Sequence, residues 1–242
     1  MSVDKKYCFS ENEFMLMAGS LGIRKMYGFT PKNSFSADEK EVTSTIFSLL
    51  KKGFINAESD GEKYVTDDKV RQIFDAIRMC RRIITFTSTE ETFTKKCLFC
   101  GDKTALLEAG DDVVTYVKGC CDSNQELLSW IIEDGFSMPD IEGGEMESDF
   151  REPQDSDVSN LCDIAEQTWQ LEEKKLHEEL MGKGLKAAAE IIGSQSYERI
   201  GRILLFEGMV DDLVVLQNDE TVKACIYSKQ PLKEFILNMM EG

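Results

Sequence analysis

YERIGRILLFEGMVDDLVVLQNDETVKACIYSKQPLKEFILNMM, residues 197–240, is the stretch that decides the fold. Three apolar runs of strand length are separated by turns that contain Gly or Asp, and a helical pattern follows the third run. The same order occurs once earlier, in residues 82–134. A shift of ~107 residues aligns the turns and the last helices, well above the roughly 20–50 residues of solenoid repeats. The sequence therefore predicts two related halves within one fold, with chance resemblance between two such stretches as the alternative.

These patterns predict an α+β protein whose central antiparallel sheet is built from two pseudo-symmetric halves, each a β-meander plus a helix. A helical segment with a hairpin at 1–81, similar in layout to a winged helix, precedes the first half at 82–134. An acidic linker at 135–160 and a helical segment at 161–192 lead to the second half at 193–242. We expect these segments to form one integrated domain.

Capping signals predict the helices of the N-terminal segment. Ser10-Glu-Asn-Glu13 and Ser36-Ala-Asp-Glu39 have the capping-box pattern, in which the first serine caps the helix and the glutamate bonds back to it. Asp60-Gly61 lies between two short β-prone runs, which is typical of a hairpin turn. Helices are predicted over residues 11–21, 37–52 and 67–80.

The charge of the chain excludes several classes of partner. Asp and Glu number 45 against 28 Lys and Arg, which gives a net charge of -17. Because nucleic acids and anionic membranes bind through cationic side chains, we expect neither as a partner. The sequence contains no run of ~18 apolar residues, so we expect no transmembrane helix. The N-terminus lacks the apolar region of a signal peptide, so we expect a cytoplasmic protein.

Cys97-Leu-Phe-Cys100 is the sharpest local motif. It could form one knuckle of a zinc ribbon, but the adjacent Cys120 and Cys121 lack the spacing of a second knuckle. A redox pair normally lies at a helix N-terminus, whereas this pair lies in a predicted strand and turn. We therefore expect structural thiols, no bound metal and no cofactor, and keep a zinc-binding or redox protein that uses Cys97 and Cys100 as an alternative.

Enzyme motifs are absent from the sequence. It contains no phosphate-binding glycine loop, no Gly-x-Ser-x-Gly and no His-Glu-x-x-His. The single histidine, His177, lies in a charged helical pattern, and we expect it to be exposed to solvent. With one histidine, the chain lacks most of the side chains that general acid–base catalysis and histidine metal sites usually require. The sequence therefore predicts a protein that is not an enzyme.

The layout resembles the EspG-like cytosolic chaperones of type VII secretion. These proteins open with a helix, a Gly-Leu/Phe-Ile/Val step, an acidic-Gly turn and a second helix, and continue as two pseudo-symmetric sheet-plus-helix halves. The matching residues of the opening passage here are 49–56, 60–61, 64–67 and 70–80. The matching close is Arg199-Ile-Gly-Arg202, the hairpin that ends at Tyr227, and the last helix at Leu232–Met240.

The resemblance implies a non-enzymatic chaperone or adaptor that binds a helical-hairpin, WXG-like secretion substrate and keeps it soluble before export. On this interpretation the expected contact residues are apolar ones near loops, Phe93, Met138 and Met209. A winged-helix transcriptional regulator with an acidic effector domain is the other alternative. The sequence leaves the oligomeric state open.

Overall fold

The computed structural model describes residues 7–27, 38–58, 63–89, 95–109, 113–121, 157–208, 212–228, 232, 235–237 and 239. The chain divides into two compact units. The first unit comprises Met1–Ile83 and Lys96–Asp122, and the second comprises Ile84–Lys95 and Ser123–Gly242. Helices and antiparallel strands occur in both units, which confirms the predicted α+β class.

The elements are named in chain order. They are β1 (Tyr7–Ser10), α1 (Glu11–Ser20), α2 (Glu39–Lys52), β2 (Ile55–Ala57), β3 (Tyr64–Thr66), α3 (Asp68–Met79), β4 (Arg82–Ser88), β5 (Lys96–Cys100), β6 (Thr104–Ala109), β7 (Val113–Cys121), α4 (Asp157–Gln167), α5 (Glu173–Leu180), a 3₁₀ turn (Met181–Lys183), β8 (Leu185–Gly193), β9 (Arg199–Phe206), β10 (Leu213–Gln217) and β11 (Val222–Ile226). Leu232, Phe235–Leu237 and Met239 are also helical, within the predicted last helix.

In the first unit, four strands pair in the order β1-β7-β6-β5, and β2 pairs with β3 as a separate hairpin. Helix α3 packs against β5, β6 and β7 through buried apolar side chains on one of its faces. Phe9 on β1 lies at the centre of an aromatic cluster with ring centroids 4.7 Å from Phe54, 5.8 Å from Phe74 and 5.9 Å from Phe14. This cluster joins β1, α1 and α3 into one core.

The predicted capping box of α1 is confirmed. Ser10 Oγ accepts a bond from the Glu13 amide, and Glu13 Oε2 accepts one from the Ser10 amide at 2.6 Å. Glu13 is buried, and it also accepts bonds from Ser48 Oγ and Lys52 Nζ, both at 2.6 Å. Burial would raise the pKa of this carboxyl, but its bonds to Lys52, Ser48 and Ser10 outweigh burial and lower the pKa. Glu13 thus ties α1 to α2.

The predicted start of α2 is wrong by two residues. Ser36 lies outside the described residues, and the residue that caps the helix is Asp38, whose Oδ1 accepts a bond from the Lys40 amide. Both residue types cap helices well, but a carboxylate is favoured further by the positive end of the helix dipole. Gly53 ends α2 with φ of 71°, in the left-handed region that glycine adopts at low cost.

In the second unit, five strands pair in the order β4-β8-β9-β10-β11. Helices α4 and α5 cover them with a buried apolar cluster. Its members are Ala165, Leu176, Leu180, Leu185, Ala188, Leu204, Phe206, Val215 and Ala224. One part of this unit's core therefore lies between its sheet and these two helices.

The strand registers repeat as the sequence predicts. Leu98 of β5 pairs with Leu106 of β6, and Leu205 of β9, 107 positions later, pairs with Val214 of β10, 108 positions after Leu106. In the same way, residues 107 and 116 of β6 and β7 correspond to the paired residues 215 and 224 of β10 and β11. The first half's predicted last helix, 124–134, lies outside the described residues. The two pseudo-symmetric meanders are confirmed.

The predicted helical segment 161–192 is wrong in its last part. Residues 185–192 form the strand β8, although Lys186-Ala-Ala-Ala-Glu190 consists of good helix formers. The strand lies between β4 and β9, and nearly all of its side chains are buried. Burial inside the sheet outweighs local helix propensity here. The predicted linker 135–160 is also shorter at its end, because α4 begins at Asp157.

Candidate partner-binding rim

Two connections of the second unit are bonded, at one or both of their ends, to residues at the start of β8. The β4–β5 connection leaves at Thr89 and returns at Lys95, and the β9–β10 connection returns at Asp212. We call Thr89, Lys95, Met181, Lys186 and Asp212 the β8 rim.

Lys186 holds the start of the β4–β5 connection. Its carbonyl oxygen accepts bonds from the Thr89 amide at 2.8 Å and from Thr89 Oγ1 at 3.0 Å. Ser88 Oγ donates to the same oxygen at 3.1 Å. Three donors on one carbonyl fix the point at which the chain leaves β4.

Lys186 also holds the end of the β9–β10 connection. Its Nζ lies 3.2 Å from Asp212 Oδ1, which also accepts a bond from the Gly208 amide at 3.2 Å. The Glu207 amide donates to the Gly184 carbonyl at 2.8 Å. The two ends of this connection are therefore bonded to each other and to Gly184 and Lys186, at the start of β8.

Helix α5 makes two polar contacts, one with Lys95 of the rim and one with β4. Lys95 and Glu173 form a half-buried ion pair, and His177 Nε2 lies 2.8 Å from Thr87 Oγ1 on β4. The prediction of an exposed His177 is therefore wrong, because the ring packs toward β4. Burial lowers the pKa of His177, and Glu173 opposes that effect while Lys95 adds to it. His177 therefore holds α5 against the sheet in its neutral form.

Two arginines of β9 fix the connection between α4 and α5. Arg202 is fully buried, and it donates to the carbonyl oxygens of Thr168 at 2.9 Å and Ala165 at 2.8 Å and to Gln217 Oε1 at 2.7 Å. Arg199 donates to the carbonyl oxygens of Trp169 and Leu171. Cations at the C-terminal end of a helix also interact favourably with its dipole.

The same arginines enclose an indole ring and a carboxylate. Their guanidinium carbons lie 5.4 Å and 5.5 Å from the ring centroid of Trp169, within cation–π distance. Arg199 also pairs with the buried Glu190 at 2.6 Å. Burial, with Arg199 nearby, lowers the pKa of Arg202 to about 10, so it is still a cation at neutral pH. Burial raises the pKa of Glu190, and the two arginines oppose it.

No protein-family model matches the chain, and no curated protein sequence matches it. A solved structure does match by fold: the Mycobacterium tuberculosis type VII secretion system chaperone EspG5, in complex with a PE25-PPE41 dimer. The match covers 98% of this chain and 96% of that chain, with a TM-score of 0.58 and 10% sequence identity. The chain has an EspG-like fold.

Within this EspG-like fold, the predicted contact residues Phe93, Met138 and Met209 lie outside the described residues. The rim nevertheless includes residues that border two of them, since Phe93 belongs to the connection between Thr89 and Lys95, and Met209 to the one that ends at Asp212. Sequence reasoning missed Met181, whose side chain is 61% exposed. The sequence feature that could have identified it is its position directly before a Gly-x-Gly stretch, where a helix is expected to end.

The cysteine motif of this EspG-like chain is part of the core. Cys97 and Cys100 are both buried in β5, and Cys100 Sγ donates to the Leu98 carbonyl at 3.7 Å. Burial raises the pKa of Cys100, which disfavours the thiolate that metal binding or redox chemistry needs. Among the described residues, no three or more His, Cys, Asp or Glu side chains are grouped to hold a metal ion.

None of the helices that the structure describes is both long enough and apolar enough to span a bilayer. Among the described residues of the first unit, four large apolar side chains are exposed. They are Phe47, Tyr64, Val65 and Met79. Phe47 lines a shallow groove along the start of α2 whose other lining residues are mostly polar or charged. None of its described lining residues is a buried polar group that would orient a ligand.

Proposed function

We propose that the protein is a non-enzymatic cytoplasmic chaperone or adaptor that binds a helical-hairpin, WXG-like substrate of type VII secretion. The observation that carries this proposal is the end-to-end likeness to EspG5, which covers 98% of one chain and 96% of the other. EspG5 is a chaperone seen with a PE25-PPE41 dimer. A likeness that extends over both chains supports a shared function more strongly than a likeness limited to a single sheet would.

We place the partner at the β8 rim. The connections that contain Phe93 and Met209 begin and end there, and the exposed Met181 lies in the turn that leads into β8. Methionine side chains are flexible and polarisable, and they suit surfaces that adapt to an apolar partner. We therefore propose Phe93, Met138 and Met209, together with Met181, as contact residues for the apolar tip of a helical hairpin.

The strong contacts of the rim suit this role. Lys186 and Asp212 hold both connections at their ends, so partner residues would meet a preorganised frame. The net charge of -17 favours a partner that is neutral or basic. Charge complementarity of this kind acts mainly on the rate of association and on partner choice.

The test is capture of the partner from the native cell with the tagged chain. We expect the recovered protein to be a small helical hairpin, identified by mass spectrometry and circular dichroism. Met181→Asp places a charge at the rim at little cost to folding because the side chain is exposed. We expect it to weaken binding by about tenfold or more.

Met79→Asp is the matched control, since Met79 is 69% exposed but lies on α3 of the first unit. It should bind like the unchanged chain. Recovery of no helical-hairpin protein would contradict the proposed function. Equal binding by Met181→Asp and Met79→Asp would contradict the placement of the partner at the β8 rim.

A further inference from the structure

The hairpin of β2 and β3 presents one free strand edge. The Asp67 amide donates to the Phe54 carbonyl, and the Glu58 amide to the Lys63 carbonyl, both at 2.9 Å. In an antiparallel pair, bonded residues alternate with residues whose amide and carbonyl groups point away. The backbone groups of Tyr64 and Thr66 therefore point away from β2.

This edge is open to solvent within the described part of the chain. No backbone bond from Tyr64 or Thr66 to another described element is present outside the hairpin itself. The side chains of Tyr64 and Val65 are 48% and 43% exposed. Helix α2 packs against β2, which is the other strand of the hairpin. A two-stranded ribbon alone is only marginally stable, and an open edge is a template for a further strand.

We propose that β3 pairs with β3 of a second copy of this chain, antiparallel and about a two-fold axis at Val65. In that register Tyr64 lies opposite Thr66 of the second copy, and Thr66 opposite its Tyr64. These are the residues whose backbone groups point outward, so each pair exchanges two hydrogen bonds. The two Val65 side chains then face each other, and a four-stranded ribbon replaces two separate hairpins.

The charges next to β3 fit the same register. Lys63 lies opposite Asp67 of the second copy, on the face that also carries Val65, because side chains alternate along a strand. Lys63 is exposed, and Asp67 uses Oδ1 to cap α3 through the amides of Lys69 and Val70. The symmetric arrangement provides two such opposite-charge pairs. A same-sign pair at these positions would oppose the association.

The second copy is favoured over an unrelated strand because the edge is its own complement in both backbone pattern and charge. A three-residue strand buries little area, so the dimer is expected to be weak. It should be seen by sedimentation equilibrium of the purified full chain as the concentration rises to several hundred micromolar. Val65→Lys would place two ammonium groups opposite each other and weaken association by about tenfold or more.

Asn56→Lys is the matched control. Asn56 is exposed and lies directly opposite Val65 on β2, one strand further from the proposed contact. It should dimerise like the unchanged chain. Tyr64→Pro is a second test, because it removes an outward amide without removing a bond to β2, which is where a strand tolerates proline. Circular dichroism checks that each variant is folded.

A chain that stays monomeric over this range overturns the proposal. A dimer that Val65→Lys and Tyr64→Pro leave unchanged also overturns it. If the chain is monomeric and a strand from another protein pairs with β3, the edge binds that protein instead. The inference is separate from the proposed chaperone role, since no residue of the β8 rim belongs to β3. Loss of dimerisation with normal partner capture therefore tests β3 alone.

Discussion

Nε2 of His177 lies 2.8 Å from Oγ1 of Thr87, and this contact joins α5 to β4 through the one histidine of the chain. Burial lowers the pKa of that histidine below its ordinary value of 6.5. Below pH 6.5 the unfolded chain therefore binds more protons at this position than the folded chain does. Stability contributed by neutral His177 is present above pH 6.5 and is lost as the pH falls toward the folded pKa.

We expect the urea midpoint of unfolding to fall between pH 7.5 and pH 5.5 for this reason. His177→Gln keeps a group that can bond Thr87 but does not titrate, so its midpoint should change less over the same range. Glu173 and Lys95, the charged neighbours of the ring, are unchanged in both proteins. Equal pH profiles for the two proteins would show that His177 does not titrate differently on folding.

Replacing Arg202 is expected to destabilise the second unit strongly. Arg202→Met removes one donor each from the carbonyl oxygens of Ala165 and Thr168 and from Gln217 Oε1. The Ala165 oxygen keeps a bond from Gln217 Nε2, and the Thr168 oxygen keeps one from the Leu171 amide. The expected loss is about 3 kcal/mol or more in the free energy of unfolding. Arg202→Lys keeps the charge but loses the planar fork, so its loss should be smaller. Urea denaturation measures both.

Arg71→Met is the control for the arginine replacement. Arg71 is exposed on α3, and surface changes of this kind usually lie within about 0.5 kcal/mol of zero. If Arg202→Met were no more destabilising than Arg71→Met, the buried bonds to α4 would not contribute to stability. The same measurement on Gln217→Met and on the double variant would show how far the two side chains act together.

Two glycines should respond to alanine with opposite signs. Gly53 has φ of 71° at the end of α2, and Gly19 lies inside α1, and a Cβ at either position would meet nothing within 4 Å. Gly53→Ala is strained in the left-handed region and should cost about 1 kcal/mol. Gly19→Ala should stabilise by about 0.5–1 kcal/mol because alanine favours the helix.

The midpoint of thermal unfolding of each variant measures the effect. Neither change alters any side-chain contact. The two midpoints should move in opposite directions from that of the unchanged chain. A shift of the same sign in both would mean that backbone conformation is not what distinguishes the two positions.

Local signals were sufficient to predict most elements. The capping box at Ser10, the glycine at 53 and the acidic turns between short apolar runs each depend on a few neighbouring residues, and the structure contains the elements they predict. The repeat of the two meanders could be predicted for the same reason. Its register was fixed by turns and apolar runs that lie close together in the sequence.

The wrong predictions have a different cause, which is contact between residues far apart in the sequence. The segment 185–192 has helix propensity, and only its neighbours β4 and β9 make it a strand. His177 looks like an exposed residue of a charged helix, and only the approach of Thr87, 90 positions earlier, buries its ring. The rim likewise depends on contacts of Lys186 with Thr89 and Asp212, which are far from each other in the sequence. Pairings over such separations leave no local pattern in the sequence.

The placement of Trp169 gives the protein a built-in optical probe. Two guanidinium groups face its indole ring at 5.4 Å and 5.5 Å, and a charge held against an indole shifts the energy of its emission. The chain has two tryptophans, so Trp130→Phe leaves Trp169 as the only one. Fluorescence of that variant would then report, in real time, whether the α4–α5 connection keeps its place when a partner arrives.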